Sequence, residues 1–414
     1  MTDAFDPLER RSPLDRQADI FAHAGATIRA ARARIAFWRD RLPAPDDGSM
    51  TAAALSALPV LRKSDLPALQ AALPPFGGLT DLAPGAFPRL FLSPGPIHEP
   101  GPRRADGWNV GRALFAAGLR AGDVVLNTFG YHLTPAGLLM DDAARSLGCA
   151  VIPAGGGNSE QVVQAMRAYR PVSYIGTADY LNILLGAADA AGVPVALRSA
   201  VVSGAAVPAS LRASFAARGI EVFELYGTAE LGIIAYETPS HDGLVLNEGL
   251  LVEIVAPGTG DPLPDGEVGE LVVTPLHADC PLIRFATGDL SAILPGLSGC
   301  GRTNRRLRGW MGRADDAVKV KGMFIRPGLL AEIIAGGAGL VTRARFVIDR
   351  RDERDHLTLE AEGPMHDSAA TDRLTRLVRD VTRLGSDVRW CADGSMPQGK
   401  LIEDRRRIEL PGQG

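Results

Sequence analysis

Three short motifs in this sequence combine reactive side chains with turn-forming glycines. A Tyr-Gly-Thr-Ala-Glu run, residues 226–230, puts an aromatic ring four positions before a carboxylate. A Thr-Gly-Asp run, residues 287–289, offers an acid that we expect to be exposed in a tight turn, where it could grip vicinal ribose hydroxyls. A Pro-Gln-Gly-Lys run, residues 397–400, ends in a lysine. Each motif is weak alone, but their order indicates a nucleotide site built from two domains.

The segment from residue 108 to residue 225 must position the first motif. Apolar stretches without charge alternate there with amphipathic stretches. This alternation predicts a mostly parallel sheet with helices on both faces. Because ligands bind beyond the carboxyl ends of parallel strands, we expect ligand contacts from residues 127–132, 203–205 and 226–230.

The rest of the chain predicts three further regions. A Ser12 cap followed by Pro13 predicts a helix that continues to a stop before Pro43. Short apolar runs between Gly/Pro/Asp turns predict a β-rich subdomain over 233–294, with one strand at 281–285. The predicted fold class is α/β, with a large layered N-terminal domain that contains a parallel sheet and this subdomain. We place that domain, with its N-terminal helical region, at residues 1–313 and a small, mobile α+β lid domain at 314–414.

Composition excludes several function classes. The chain has 414 residues, a net charge of −4 and a pI near 6.0, which argues against a nucleic-acid partner. The arginine clusters at 302–308 and 405–407 are interpreted as solvated surface. The sequence has neither a secretory leader nor a long apolar run, so we expect no membrane association and a cytoplasmic location. Four cysteines in so long a chain predict no disulfide framework.

Longer motifs surround these residues. They are LPVLRKSDL at 58–66, then NTFGYHLTPAG, VIPAGGGN, SGAAVP, LYGTAE, FATGDL, CGRT, GRADD and PQGK. In this order they resemble the adenylate-forming (acyl-CoA synthetase) superfamily, and within it the phenylacetate–CoA ligase branch, over nearly the whole chain.

The resemblance implies a ligase with two-step chemistry. A carboxylate attacks the α-phosphate of ATP, with Mg²⁺ present, to give an acyl-adenylate and pyrophosphate. The thiol of coenzyme A then displaces AMP. The implied substrates are ATP, coenzyme A and an aromatic or related small carboxylic acid. Because members of this branch are commonly homodimers, the resemblance also suggests a homodimer.

Site residues follow from the resemblance position by position. It implies that Lys400 is the catalytic cation on the α-phosphate and that Glu230 is the magnesium-associated acid. Asp315 matches the hinge about which the small domain rotates, and Lys321 and Gly322 match the loop that serves coenzyme A. The implied nucleotide-binding residues are Ser203, Gly204, Ala205, Tyr226, Gly227, Thr228, Asp289 and Arg313. The implied acyl pocket consists of Phe129, Tyr131, His132, Gly155 and Gly156.

The segments that would bind the phosphates of ATP depart from the family pattern. The family has a Ser/Thr/Gly-rich loop that ends in lysine, whereas residues 93–100 read SPGPIHEP. Two prolines remove amide donors, and we expect Glu99 to repel phosphate. Ala229 stands where the family usually has a hydroxyl. Three outcomes remain open: weak ATP binding, a rebuilt loop in which His98 supplies the contact, or loss of adenylation.

Some members of the branch hold a structural zinc, and the matching positions here are Thr238, Val245, Ser298 and Cys300. One zinc ligand of four cannot hold a tetrahedral site. A different set, His277 with Cys280 and Cys300, is weaker than the alternative that these cysteines are small buried residues. We therefore predict no zinc site.

Three rival functions accompany the ligase prediction. An acyl-adenylate enzyme could transfer its acyl group to an amine or a carrier protein. A pseudo-ligase could bind nucleotide or acyl-CoA without turnover, as the altered phosphate loop suggests. An unrelated nucleotide-binding α/β protein is disfavoured by the small domain with its terminal Gly-Lys.

Overall fold

The structure is a computed structural model that describes most of the chain. The described residues are 3–43, 50–104, 106–276, 279–314, 318–321, 323–325, 327–337, 339–352, 354–364, 367–397 and 401–406. The chain divides into two compact units, Met1–Ala314 and Asp315–Gly414.

Helices occur in both units, and none of those described is long and apolar enough to cross a membrane. The α-helices are α1 (Pro13–Arg34), α2 (Ala36–Arg41), α3 (Ala52–Ser56), α4 (Leu66–Ala72), α5 (Gly111–Ala116), α6 (Ala136–Ser146), α7 (Ser159–Tyr169), α8 (Ala178–Ala190), α9 (Ala209–Ala216), α10 (Pro327–Gly336) and α11 (Ser368–Thr382). Short 3-10 helices occur at Pro7–Arg10, Lys63–Asp65 and Pro84–Ala86.

The strands form two large sheets in the first unit, one in the second, and two hairpins. They are β1 (Leu61–Arg62), β2 (Leu90–Ser93), β3 (Ile97–Pro100), β4 (Val124–Asn127), β5 (Ala150–Pro153), β6 (Ser173–Gly176), β7 (Ser199–Val202), β8 (Glu221–Thr228), β9 (Gly232–Tyr236), β10 (Leu244–Leu246), β11 (Leu250–Val255), β12 (Gly269–Pro275), β13 (Phe285–Ser291), β14 (Ile293–Leu294), β15 (Arg306–Leu307), β16 (Val318–Val320), β17 (Met323–Ile325), β18 (Arg343–Arg351), β19 (Arg354–Glu362), β20 (Asp387–Trp390) and β21 (Ile402–Asp404).

The N-terminal helix is two helices. Ser12 caps α1 as predicted, but Ile35 is extended (φ −110°, ψ 118°) and separates α1 from α2. The break keeps both Ile35 and Trp38 buried. It also lets the indole Nε1 of Trp38 donate to the carbonyl of Pro281 at 3.0 Å. The prediction of one continuous helix was wrong because tertiary packing overrides the helical pattern at Ile35.

The predicted parallel sheet is confirmed. Its strand order is β14-β15-β10-β9-β8-β7-β6-β4-β5, with β5, β4, β6, β7 and β8 mutually parallel and β9 antiparallel to β8. The turn from β8 to β9 requires glycine at Gly232, since its φ is +72° and a Cβ there would lie 2.4 Å from the carbonyl of Trp108. Because β5, β4, β6, β7 and β8 run in the same direction, their carboxyl ends lie at one edge of the sheet.

The second sheet, in the order β1-β13-β12-β11, corrects two expectations. The strand predicted at 281–285 begins only at Phe285. The Thr-Gly-Asp run then lies inside β13, where Asp289 is only 9% exposed. The acid is thus buried in a strand and is not an exposed turn residue, because the segment with Trp310 and Arg313 lies against it: Asp289 forms a backbone bridge with Arg313, and Trp310 donates to its carboxylate.

Arginines expected at the surface are partly buried. In the 302–308 cluster, Arg302 is 1% exposed and Arg306 is 9% exposed. Arg302 pairs with the equally buried Glu9 at 2.6 Å, and Arg306 pairs with Asp242. The prediction of a solvated cluster was wrong for these two residues, since acids distant in sequence neutralise them.

The second unit has its own core. Strands β20, β19, β18 and β21 form a sheet in that order, and β16 and β17 form a hairpin. Helices α10 and α11 pack their apolar side chains against the sheet, with Phe346, Leu359 and Leu374 fully buried.

Arg284 connects the N-terminal region to the second sheet. Its guanidinium pairs with Glu253 at 3.0 Å and donates to the carbonyls of Ser56, Leu58 and Gly260. The side chain is 1% exposed.

Replacing Arg284 with methionine should destabilise the first unit by about 3–5 kcal/mol, because Glu253 would remain buried without its cation. Urea denaturation followed by tryptophan fluorescence measures the change. Arg34→Ala is the control: Arg34 pairs with Asp81 at the surface, with 58% of its side chain exposed, and its loss should cost less than about 1 kcal/mol. Equal losses in the two variants would contradict this role for Arg284.

Candidate nucleotide and acid site

The predicted strand-end segments meet at one edge of the parallel sheet. Residue 128 follows β4 and donates its amide to the carbonyl of Ile175 in β6 at 2.8 Å. Ser203 follows β7 and donates its amide to the carbonyl of Gly176 at 3.1 Å. Its hydroxyl donates to the carbonyl of Leu225 in β8 at 2.9 Å, one residue before Tyr226. The structure thus brings the 203–205 loop beside the Tyr-Gly-Thr-Ala-Glu motif.

The carboxylate of Asp289 receives three hydrogen bonds. The Tyr226 hydroxyl donates to Oδ2 at 2.8 Å, and Trp310 Nε1 and Arg313 Nη1 donate to Oδ1 at 3.0 and 2.9 Å. Burial and then the charge of Asp289 raise the pKa of Tyr226 well above its ordinary value, so its hydroxyl stays a donor. The cluster holds one carboxylate in a fixed orientation.

This cluster contains three of the predicted nucleotide residues and one that sequence reasoning missed. Tyr226, Asp289 and Arg313 come together as the motif order suggested. Trp310 was missed, although it stands only three residues before Arg313. The Tyr226 hydroxyl bond fixes the direction of a ring that packs partly against the core.

The end of the Tyr-Gly-Thr-Ala-Glu motif is buried. Gly227 has no room for a side chain, since a Cβ would lie 2.4 Å from the carbonyl of Gly232. Oε1 of Glu230 lies 2.7 Å from Lys63 Nζ, and the side chain of Glu230 is 2% exposed. Burial raises the pKa of Glu230, but the charge and hydrogen bond of Lys63 outweigh it and hold that pKa below its ordinary value. Glu230 is therefore an ionised carboxylate.

Lys63 was also missed as a site residue. It follows β1, whose pairing with Phe285 and Ala286 of β13 brings it to Glu230. The only sequence signal was its place in the quoted LPVLRKSDL run. Because Lys63 and Glu230 are far apart in sequence, their pairing could not be predicted before the sheet that brings them together was known.

The altered phosphate loop is the β-hairpin formed by β2 and β3. Pro94 and Pro96 occupy its turn, and Glu99 points inward with 2% exposure. Its Oε1 accepts a hydrogen bond from the Ser93 hydroxyl at 2.5 Å. Burial, followed by the charge of Glu230, raises the pKa of Glu99 to about 8. Glu99 is therefore a buried acid with a raised pKa, and its predicted repulsion of phosphate stays a prediction.

His98 faces outward on the same hairpin. Its backbone amide donates to Gln70 Oε1 at 2.8 Å, and the Gln70 amide returns a bond to the His98 carbonyl at 2.8 Å. This pair fixes the hairpin against α4. A phosphate contact from the His98 ring stays a prediction.

The residues predicted to form the acyl pocket also lie near one another. The Gly155 amide donates to the carbonyl of Asn127 at 3.2 Å, and the Asn127 side chain donates to the Tyr131 hydroxyl at 2.8 Å. That hydroxyl donates to Asp141 at 3.1 Å, so it has an internal partner. Phe129 packs partly against the core, whereas His132 and Gly156 are exposed. Their pocket role stays a prediction.

A cavity of about 400 Å³ lies beside the hairpin. Both Glu99 and Glu230 line it, together with mainly apolar side chains. None of the residues predicted for the acyl pocket lines this cavity.

Four of the predicted site residues belong to the second unit. Lys400, Asp315 and Gly322 lie outside the described residues. Lys321 belongs to the smaller unit, where it occupies the turn between β16 and β17 with φ +48°. Their roles stay predictions.

Three of the four positions that match the zinc ligands are adjacent. The Ser298 hydroxyl lies 3.1 Å from Cys300 Sγ. Burial raises the pKa of Cys300, but hydrogen bonds from Ser298 and Thr238 outweigh it and lower that pKa. Among the residues that the structure describes, no three His, Cys, Asp or Glu side chains are arranged to hold a metal. His277 lies outside them.

Comparisons with known proteins identify similar chains. A family model described as AMP-binding enzyme matches residues 120–275. The phenylacetate–coenzyme A ligase of Thermus thermophilus is 30% identical over 332 residues, which are 73% of this chain and 74% of that protein. The phenylacetate–coenzyme A ligase of Aromatoleum evansii is 32% identical over 262 residues, or 61% of this chain; the match spans 59% of that relative's length.

Solved structures support the fold. A crystal structure of 2-hydroxyisobutyryl-CoA ligase, in complex with 2-HIB-AMP and CoA, superposes with a TM-score of 0.88. The superposition covers 97% of this chain and 92% of that chain at 24% identity. This likeness confirms the predicted fold class.

The raised pKa of Glu99 makes stability depend on pH. The folded state keeps this proton to about pH 8, while an exposed glutamate releases it near 4.5. The stabilisation is complete below pH 4.5 and is lost as pH rises through 8, at about 1.4 kcal/mol for each pKa unit. Glu99→Gln has no proton to release at this position. The melting temperature of the variant minus that of the wild type should therefore increase between about pH 5 and pH 9.

Differential scanning calorimetry at matched pH values measures this gain. Glu267→Gln, at an exposed position, is the control and should show a difference that does not vary with pH. A Glu99→Gln difference that is equally flat would show that Glu99 is ionised throughout.

Proposed function

Because the chain belongs to the phenylacetate–coenzyme A ligase family of adenylate-forming enzymes, we propose that it is an AMP-forming carboxylic acid–CoA ligase. In the first step a carboxylate oxygen attacks the α-phosphorus of ATP, and pyrophosphate leaves. In the second step the thiol of coenzyme A attacks the acyl carbon, and AMP leaves. The proposed acid is aromatic or a related small carboxylic acid.

The cluster around Asp289 is the observation that carries this proposal. A buried carboxylate held by Tyr226, Trp310 and Arg313 offers acceptor oxygens of fixed direction for the ribose hydroxyls. Tyr226, positioned by its hydroxyl, would lie against the adenine, with residues 203–205 as the other wall. Preorganised groups of this kind act mainly by positioning, which is most of what adenylyl transfer requires from a protein.

Glu230 is the proposed magnesium-associated acid, and its surroundings fit that role. Its Oε2 is buried and has no well-formed hydrogen bond among the described residues. Magnesium in such enzymes is held by one or two carboxylates together with phosphate oxygens. When bound, the ion would neutralise charge on the phosphates. Lys63 pairs with Glu230, which lowers the pKa of the carboxyl group and fixes its orientation.

Further roles are assigned to the second unit. Lys400 is proposed to place its ammonium on the α-phosphate and carboxylate oxygens, where negative charge builds up in the first step. Asp315 is proposed as the hinge between the two half-reactions, and Lys321 with Gly322 as the loop that serves coenzyme A.

The β2–β3 hairpin favours a second candidate function. Its turn contains two prolines, and its inward acid is buried with a raised pKa. The prolines remove two amide donors that could hold the outer phosphates, and the Ser93 hydroxyl already donates to Glu99. A protein that binds nucleotide or acyl-CoA without turnover would have this feature.

Acid-dependent release of pyrophosphate from ATP separates the two functions. Lys400→Ala should reduce the rate at least about a hundredfold, or ~2.7 kcal/mol of transition-state stabilisation. Arg376→Ala, an exposed cation on α11 of the same unit, should leave the rate unchanged. If a panel of aryl and short-chain acids gives no release while nucleotide still binds, the second candidate stands.

The acyl acceptor is identified by mass spectrometry of the products. With ATP, acid and coenzyme A present, we expect an acyl-CoA thioester. Adenylate formation without any thioester would instead indicate transfer to an amine or a carrier protein.

A further inference from the structure

Two hydrogen bonds hold the 203–207 loop against β8, one at each end of the loop. At its start the Ser203 hydroxyl donates to the carbonyl of Leu225 at 2.9 Å. At its end the backbone amide of Val207 donates to Oε1 of Glu224 at 2.5 Å. Between these two points stand one glycine and two alanines, whose side chains carry no polar group. Both contacts are therefore made to consecutive residues of β8.

The same strand carries the aromatic ring that faces the loop in the proposed nucleotide site. Glu224 stands two residues before Tyr226 in β8. Side chains two positions apart in a strand lie on the same face of the sheet. The loop and the Tyr226 ring are the two proposed walls of the adenine site, so β8 sets the position of both.

Glu224 is itself held in place by a second acid and an arginine. Its backbone amide donates to Oε2 of Glu237 at 2.7 Å. Arg212 pairs with Glu237 at 3.0 Å and lies 3.7 Å from Oε1 of Glu224. Arg212 belongs to α9, the helix that follows the loop, and also donates to the carbonyl of Val222 at 2.7 Å. Because its side chain is only 23% exposed, Glu224 is a fixed anchor for the loop.

We propose that Glu224 is a positioning residue for nucleotide binding, because its carboxyl oxygen fixes the 203–207 loop at the distance from Tyr226 that admits a purine ring. It acts through the loop and does not touch the nucleotide. The inference rests on the proposed ligase function and deepens it by adding a residue that supports the adenosine site. A carboxyl oxygen accepts an amide hydrogen bond whether or not the group is ionised, so the role does not depend on the protonation of Glu224.

The expected cost of losing this anchor falls on binding. Without the Val207 contact the loop would adopt further conformations, and only the fraction with the correct geometry binds the nucleotide. A loop that keeps this geometry for about a tenth of the time loses about tenfold in apparent affinity. The acid and coenzyme A do not use this wall in the proposed site, so their binding should be unaffected.

The test compares two substitutions of similar size at one position. Glu224→Leu removes the acceptor, whereas Glu224→Gln keeps a carbonyl oxygen that can accept from Val207. Isothermal titration calorimetry measures the affinity for AMP, and initial rates of acyl-CoA formation give kcat and the KM values. Glu224→Leu should weaken AMP binding and raise KM for ATP about tenfold, with kcat changed by less than about twofold. Glu224→Gln should remain within about twofold of the wild type for all three.

Asp123 provides a matched control at the opposite end of the same sheet. Its carboxylate also accepts from a backbone amide, that of Arg120 at 2.8 Å, and pairs with Arg198 at 2.7 Å. It immediately precedes β4 and therefore lies at the amino ends of the parallel strands. Asp123→Leu should leave the affinity for AMP within about twofold of the wild type, since Asp123 is remote from the loop. A loss in this variant equal to that in Glu224→Leu would attribute both losses to general destabilisation and overturn the inference.

Hydrogen exchange followed by mass spectrometry reports on the loop itself. In Glu224→Leu the peptide that contains residues 203–207 should exchange at least about tenfold faster than in the wild type, while peptides from β6 and β7 keep their protection. If Glu224→Leu does not fold, Glu224→Asp takes its place, because the shorter side chain withdraws the carboxylate from Val207 and should give the same losses.

The outcomes separate this inference from the proposed function. If no acid is converted but AMP affinity follows the Glu224 substitutions, the ligase function fails and the positioning role stands. If acids are converted while AMP affinity is the same in Glu224→Leu and the wild type, the function stands and the positioning role is overturned. Equal losses in Glu224→Leu and Glu224→Gln, or a wild type that binds no AMP, also overturn the positioning role.

Discussion

Two carboxyl groups, those of Glu99 and Glu230, line one cavity with Lys63 beside Glu230, and this charge constraint governs the candidate site. Lys63 pairs with Glu230 and keeps it ionised despite its burial. The remaining acid, Glu99, then faces both a low-dielectric environment and a like charge, which raise its pKa. The pKa values of the two acids are therefore shifted in opposite directions. Environment alone gives two identical side chains different chemistry.

The two sheets of the first unit together place these groups. The parallel sheet provides Tyr226 and Glu230 at the end of β8, and the second sheet provides Asp289 within β13. The pairing of β1 with β13 delivers Lys63 to Glu230, and the Tyr226–Asp289 hydrogen bond joins the sheets directly. The buried guanidinium of Arg284 ties the N-terminal segment to the second sheet. The site is therefore rigid where it would hold the adenosine.

The phosphate side of the site differs in kind from the adenosine side. The Asp289 cluster consists of a carboxylate and the side chains that donate hydrogen bonds to it. The hairpin at 90–100 instead presents prolines at its turn and a buried acid toward a mainly apolar cavity. Residues that would cradle phosphate in a family member thus form part of the wall of a cavity here.

Several features could be predicted from sequence because they depend on local patterns. The alternation of apolar and amphipathic stretches predicted the parallel sheet, and the order of motifs predicted the family. The carboxyl-end rule correctly brought Ser203 and Tyr226 to one edge. These inferences need only strand and helix periodicity together with the common edge of parallel strands.

Other features were decided only by tertiary structure. Asp289 became a buried strand residue because the segment with Trp310 and Arg313 lies against it, and Arg302 became buried because Glu9, far away in sequence, neutralises it. The partnership of Lys63 with Glu230 depends on contacts across sheets, and so does the raised pKa of Glu99. Burial and pairing are properties of the assembled chain, and they set the ionisation of each acid. The sequence by itself thus determined which groups are available and at which strand ends they lie, whereas only the packed structure decided which of them carry charge.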